Sequence, residues 1–142
     1  MEADFLMNTF QLDPRIEMDS SFITNLELCQ VRLHNNAAFP WIMLIPNTKV
    51  IEIVDLSEED QQKLMKEICQ ASTVMRRLYK PTKLNIASIG NAVSQIHVHV
   101  VARYDTDKAW PRPVWYCGVE AEYTQDEQNQ RTHLIKVAFS KL

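Results

Sequence analysis

Two of the four histidines in the chain stand two residues apart in the stretch Gln95-Ile96-His97-Val98-His99-Val100-Val101-Ala102-Arg103. Side chains along an extended strand alternate between its two faces. Gln95, His97, His99 and Arg103 are therefore expected on one face, and Ile96, Val98, Val100 and Ala102 on the other. A strand whose apolar back is buried would hold two imidazoles side by side on its front. Neutral imidazole is a nucleophile, a proton carrier and a metal ligand near pH 7. A solvated strand face more often carries Lys, Glu or Thr, so Gln-x-His-x-His reads as a chemical site.

Something must hold that strand. Leu28 to Leu33 and Trp41 to Ile45 are short β-favouring segments joined by Asn35-Asn36 and Phe39-Pro40, which suits a hairpin. Lys49 to Val54 reads as a further short strand or a connecting segment. Ser57 followed by Glu58, Glu59 and Asp60 marks a helix start with a cap and an acidic first turn. Leu64, Ile68, Ala71, Met75 and Leu78 then recur at helical spacing, with Met65 and Cys69 widening the stripe, until Pro81 ends the helix. Met in such a stripe is ordinarily core rather than a cofactor box. Lys83 to Ile89 reads as a strand, Gly90-Asn91 as a tight connection, and Gln95 to Arg103 as its antiparallel partner, central in the sheet. Trp110-Pro111-Arg112-Pro113-Val114-Trp115 cannot be an interior strand, because neither proline donates to a ladder, and reads as a loop or lid. Thr124-Gln125-Asp126-Glu127 has the form of a capping box ahead of Leu134, Ile135, Val137, Ala138 and Phe139, which predicts a second helix. The expected fold is α+β, an antiparallel sheet of about five strands with two main helices over its apolar back.

The 142 residues are 46% apolar, enough for one domain, 1–142, with a real core. A net charge of −3 and a pI near 5.8, without a run of Lys or Arg, leave no electrostatic footprint for duplex nucleic acid or an anionic membrane. No apolar stretch approaches the ~20 residues of a spanning helix, and Met1-Glu2-Ala3-Asp4 lacks the pattern of an export signal. Cys29, Cys69 and Cys117 are widely spaced and odd in number, as expected of reduced thiols in the cytoplasm. With only Gly90 and Gly118, neither a P-loop nor a GxGxxG turn is present, so any phosphate must be held otherwise.

Gln95-Ile96-His97-Val98-His99-Val100-Val101 resembles the histidine triad (HIT) superfamily, whose signature is His-φ-His-φ-His-φ-φ with φ apolar. The chain keeps the second and third histidines and all four apolar positions, with glutamine at the first. Lys83-Leu84-Asn85-Ile86, Gly90-Asn91 and Phe39-Pro40-Trp41 through Pro46 are similar to the segments that precede the triad, so the likeness spans about residues 25–105, and 106–142 form a C-terminal loop and helix. The resemblance implies that His97 attacks the α-phosphorus of a nucleotide, and that His99 contacts phosphate and helps the leaving group depart. It further implies a main-chain carbonyl near the first triad position as acceptor from the nucleophile's other nitrogen, which a change of side chain at Gln95 does not delete. Asn91 is either a donor to phosphate or a turn former. Asn85 orients the pocket or closes the sheet. Asn36 is the preferred contact to ribose hydroxyls, and His34 beside it reads as a surface or core-edge imidazole. Arg103 either draws in polyphosphate or pairs with Asp105 or Asp107. Trp41 stands where many members carry a histidine and reads as core packing.

The expected function is a nucleotide hydrolase or nucleotidyl transferase that acts on nucleoside phosphoramidates or dinucleoside polyphosphates through a nucleotidyl-histidine. It implies no cofactor and no metal, and the resemblance implies a homodimer. The alternative is a nucleotide-binding module with little or no catalysis. A third reading, His97 and His99 as ligands of a divalent metal, lacks a third ligand at suitable spacing.

Overall fold

The structure, a computed structural model, describes residues 10–142. A short helix α1 (Pro14–Met18) leads into strands β1 (Ser20–Asn25), β2 (Cys29–His34) and β3 (Trp41–Pro46), followed by a 3-10 turn at Ile53–Asp55. The long helix α2 (Glu58–Tyr79), strands β4 (Lys83–Ala87) and β5 (Val98–Arg103), and helix α3 (Gln125–Ser140) complete the chain. All strand pairs are antiparallel, in the order β1-β2-β3-β5-β4. The fold is α+β with five strands and two main helices, as expected.

Composition of the sheet departs from the sequence reading at both ends. Lys49 to Val54 supplies no strand, and the fifth strand is instead β1. In β1 only Ser20 and Ile23 are buried, and a bulge between Phe22 and Thr24 breaks the alternation, so no period-2 pattern marks it. α1 carries a local signal, with Asp13 Oδ1 accepting from Arg15 N–H and Pro14 at the first helical position. β5 begins at Val98 rather than Gln95, and β4 stops at Ala87, so residues 88–97 form a longer connection than a tight turn at Gly90-Asn91.

α2 begins at its Ser57 cap, whose hydroxyl accepts from Asp60 N–H, and ends at Lys80 in the left-handed conformation just before Pro81. Its Leu64, Ile68, Ala71, Val74 and Met75, together with Ile135 and Phe139 of α3, pack against Val31, Leu33, Ile42, Leu44, Val98, Val100 and Ala102. Met65 and Cys69 face solvent instead of widening the stripe, and Glu67 and Val74 are buried in their stead.

The opposite face of the sheet is buried as well. Trp41, Met43, Ile45 and Val101 pack there beneath Ile16, Phe39, Ala109 and Val114. Every residue of β3 and β5 is consequently buried, and the front of the histidine strand is a walled surface rather than an open one.

Candidate active site

His97 is the last residue before β5 and His99 the second within it. They keep the same-face relation that alternation requires, with ring centroids 5.0 Å apart and planes inclined by 72°. His97 Nδ1 lies 2.7 Å from the main-chain oxygen of Gln95. A carbonyl only accepts, so in the neutral imidazole Nδ1 carries the proton and Nε2 the lone pair. The ring is half-buried and borders a cavity of about 310 Å³ whose wall includes Ile53, Val54, Ser88, Ile89 and Ser94.

His99 is only 5% exposed. Its Nδ1 accepts a 2.9 Å hydrogen bond from the indole Nε1–H of Trp41, which stands across the β3–β5 pair. Trp41 is itself stacked on His34 at 3.7 Å and 5°, and Trp115 of the C-terminal loop meets both Trp41 and His99 edge-on. Burial, then the neighbouring His97 and His34, push His99 down to about 3. Burial likewise pushes His34 down to about 4. Both rings are neutral near pH 7.

The remaining predicted site residues divide sharply. Gln95 lines the same cavity as His97, but its amide is engaged by the N-terminal segment: Oε1 accepts from Asp13 N–H at 2.9 Å and Nε2 donates to Gln11 O at 2.9 Å. Asn91 is exposed on the connection after Gly90, which adopts φ 72° as a turn glycine does. Asn36 and Asn85 are not in the cavity. Asn36 donates to Val119 O and accepts from Ala38 and Ala121 N–H, so its amide ties residues 119–121 to the β2–β3 connection in place of a ribose contact. Asn85 Oδ1 accepts from Arg103.

Arg103 corrects the polyphosphate expectation most plainly. It is 1% exposed, makes a two-point ion pair with Asp107 at 2.8 and 3.0 Å, and lies against Phe39 and Trp110. The guanidinium is spent on anchoring the loop after β5, whose Asp107 also accepts from Ala109 and Trp110 N–H. The alternative pairing with Asp107 is the one realised.

Sequence reasoning assigned Trp41 to packing and missed its donor role. The signal was present: a buried indole N–H normally finds an acceptor, and Trp41 shares the β3 face that meets His99. Among the described residues no three His, Cys, Asp or Glu side chains gather as a metal would need.

An inner strand of the sheet thus carries an imidazole pair at its mouth, one ring anchored through Nδ1 to a main-chain carbonyl. The HIT domain profile matches residues 15–106, and the chain belongs to the HIT family. It is similar to a histidine triad protein from Bradyrhizobium japonicum, 36% identical over 92% of this chain and 98% of that one, with a TM-score of 0.88. A histidine triad protein from Marinobacter aquaeolei is 35% identical, covering 94% and 98%, with a TM-score of 0.89. The diadenosine triphosphate hydrolase of Plasmodium falciparum shares the fold at 18% identity and a TM-score of 0.61, over 94% of this chain and 82% of that one. No curated protein sequence matches.

Proposed function

We propose that the protein is a nucleotidyl hydrolase or transferase in which His97 attacks the α-phosphorus of a small nucleotide. Family membership supports a nucleotide-related function. The observation that carries the finer reading is the 2.7 Å contact between His97 Nδ1 and the Gln95 carbonyl, which in the neutral imidazole assigns the proton to Nδ1 and the lone pair to Nε2, on a ring bordering a cavity. Nucleoside phosphoramidates and dinucleoside polyphosphates are the substrate classes in view.

In the first step a bond forms between His97 Nε2 and phosphorus while the bond from phosphorus to the leaving group breaks. The electron pair departs with that group, and the proton stays on Nδ1, which continues to donate to the Gln95 carbonyl. Water then attacks phosphorus, the N–P bond breaks, the electron pair returns to Nε2, and the water proton passes to solvent. Dividing the displacement in two is what a covalent nucleophile contributes. The carbonyl holds the ring at one angle and steadies the positive charge it acquires on bonding phosphorus.

Hydrolysis of an adenosine phosphoramidate and of a diadenosine polyphosphate by the wild-type chain and by His97→Ala tests this. Turnover of at least one substrate by the wild type, abolished in a variant that still folds, is the expected result. Full activity in the variant, or nucleotide binding without any turnover by the wild type, contradicts it, and the second outcome identifies a binding module.

A further inference from the structure

An indole N–H can only donate, so the nitrogen that faces it must be without a proton. Trp41 Nε1 stands 2.9 Å from His99 Nδ1, and stacking on His34 at 5° together with the edge of Trp115 fixes the indole plane. His99 therefore carries its single proton on Nε2. A second proton, on Nδ1, would set two N–H groups against each other and strand the buried indole donor.

Among the described residues, no negative charge acts on the ring. The titratable groups facing the ring are His97 from the lead-in to β5 and His34 from β2, and both oppose a second positive charge. Asp13 acts on His97 and Asp19 on His34. Met43 of β3, Ala87 of β4 and Trp115 of the loop are neutral.

From this geometry we infer that Trp41 is a positioning residue that locks His99 as a neutral Nε2–H donor. The site is in consequence suited to leaving groups that depart from phosphorus as anions, such as phosphate or a polyphosphate, rather than to amines. The second half rests on the proposed function, with His97 as the nucleophile and His99, whose ring centroid lies 5.0 Å from that of His97, as the donor to the leaving group. When the P–O bond of a phosphoanhydride breaks, the electron pair leaves on an oxygen already stable as an anion and no proton is required. When a P–N bond breaks, the departing nitrogen must gain a proton, and an Nε2–H on an uncharged imidazole is a hydrogen-bond donor but a very weak acid.

Two measurements on the full chain separate the parts. Imidazole 15N NMR on the wild type is expected to show His99 as the Nε2–H tautomer, unchanged from pH 8 to 5, whereas Trp41→Phe, which keeps a ring but removes the donor, admits the Nδ1–H tautomer. An Nδ1–H tautomer or an imidazolium in the wild type at pH 7 overturns the lock. Next, kcat/KM for diadenosine tetraphosphate is expected to exceed that for adenosine 5′-(N-benzylphosphoramidate) by about 10²-fold or more, the usual worth of a missing general acid. Trp41→Phe should narrow that ratio. Equal or faster cleavage of the phosphoramidate by the wild type overturns the leaving-group preference. Failure of both substrates overturns the nucleophile reading and the preference with it, while the tautomer result stands or falls on the NMR alone.

Discussion

A histidine attacks phosphorus only through a nitrogen whose lone pair is free, and at His97 the main chain decides which nitrogen that is. The Gln95 carbonyl takes Nδ1–H, so the side chain at position 95 is released for other work, and its amide clips residues 11 and 13 to the site strand. His97→Ala is expected to fold as the wild type does and to lose turnover by about 10³-fold or more, judged by far-UV circular dichroism and steady-state kinetics. A variant that unfolds contradicts the assignment of His97 to chemistry. Gln95→Ala leaves the carbonyl in place, so it is expected to cost about 1–2 kcal/mol in urea denaturation through two lost hydrogen bonds. Its chemistry on phosphorus should persist. The imidazole pair was legible in the sequence because alternation alone puts His97 and His99 on one face. The fates of Asn36, Asn85 and Arg103 were not, since a polar side chain near a site looks the same whether it meets a substrate or a carboxylate from a loop folded back onto it.

The elements that carry the site are joined by buried polar anchors as much as by apolar packing. Glu67 on α2, 3% exposed, accepts from the N–H groups of Leu28 and Cys29 at the start of β2, at 2.8 to 3.3 Å. That carboxylate docks the helix on the turn that opens the β2–β3 hairpin. Glu67→Ala strands both donors and is expected to cost about 2–4 kcal/mol, read as a lowered urea midpoint, whereas a change within 0.5 kcal/mol would assign those N–H groups another partner. Helix starts were easily read because Ser57 and Thr124 act locally, within one turn. β1 was hidden because its bulge breaks the period, even though its hairpin to β2 is local, closed through residues 26–28. The 3-10 turn at Ile53–Asp55 escaped for the opposite reason: Ile51, Ile53 and Val54 read as strand-forming, yet they are exposed at the cavity wall.

Across the whole molecule, two neutral histidines make the fold sensitive to mild acid. The folded values of His99 and His34 lie near 3 and 4, below the usual 6.5, so the unfolded chain binds protons first as the pH falls. Their contribution is complete above pH 6.5 and declines from there toward pH 4. Each is expected to withdraw up to about 2 kcal/mol between pH 6.5 and 5, a fall in thermal midpoint that His34→Gln should halve. Asp107 acts lower on the scale. Held below the ordinary carboxylate value by Arg103, it keeps its contribution near neutrality and loses it as the pH drops beneath 3.8. The overall plan, an antiparallel sheet with helices on one face, was legible from periodicity and caps. The burial of the opposite face was not, because the segments that cover it, α1 and the loop carrying Ala109, Val114 and Trp115, have no period of their own. The nucleophilic role of His97 is tested most directly by single-turnover mixing with a 32P-labelled diadenosine polyphosphate, alkaline quenching and peptide mapping. One adenylyl group on the peptide holding His97, on its imidazole nitrogen, is the predicted result. Bound nucleotide with no label transferred, or label fixed on any other residue, would contradict it.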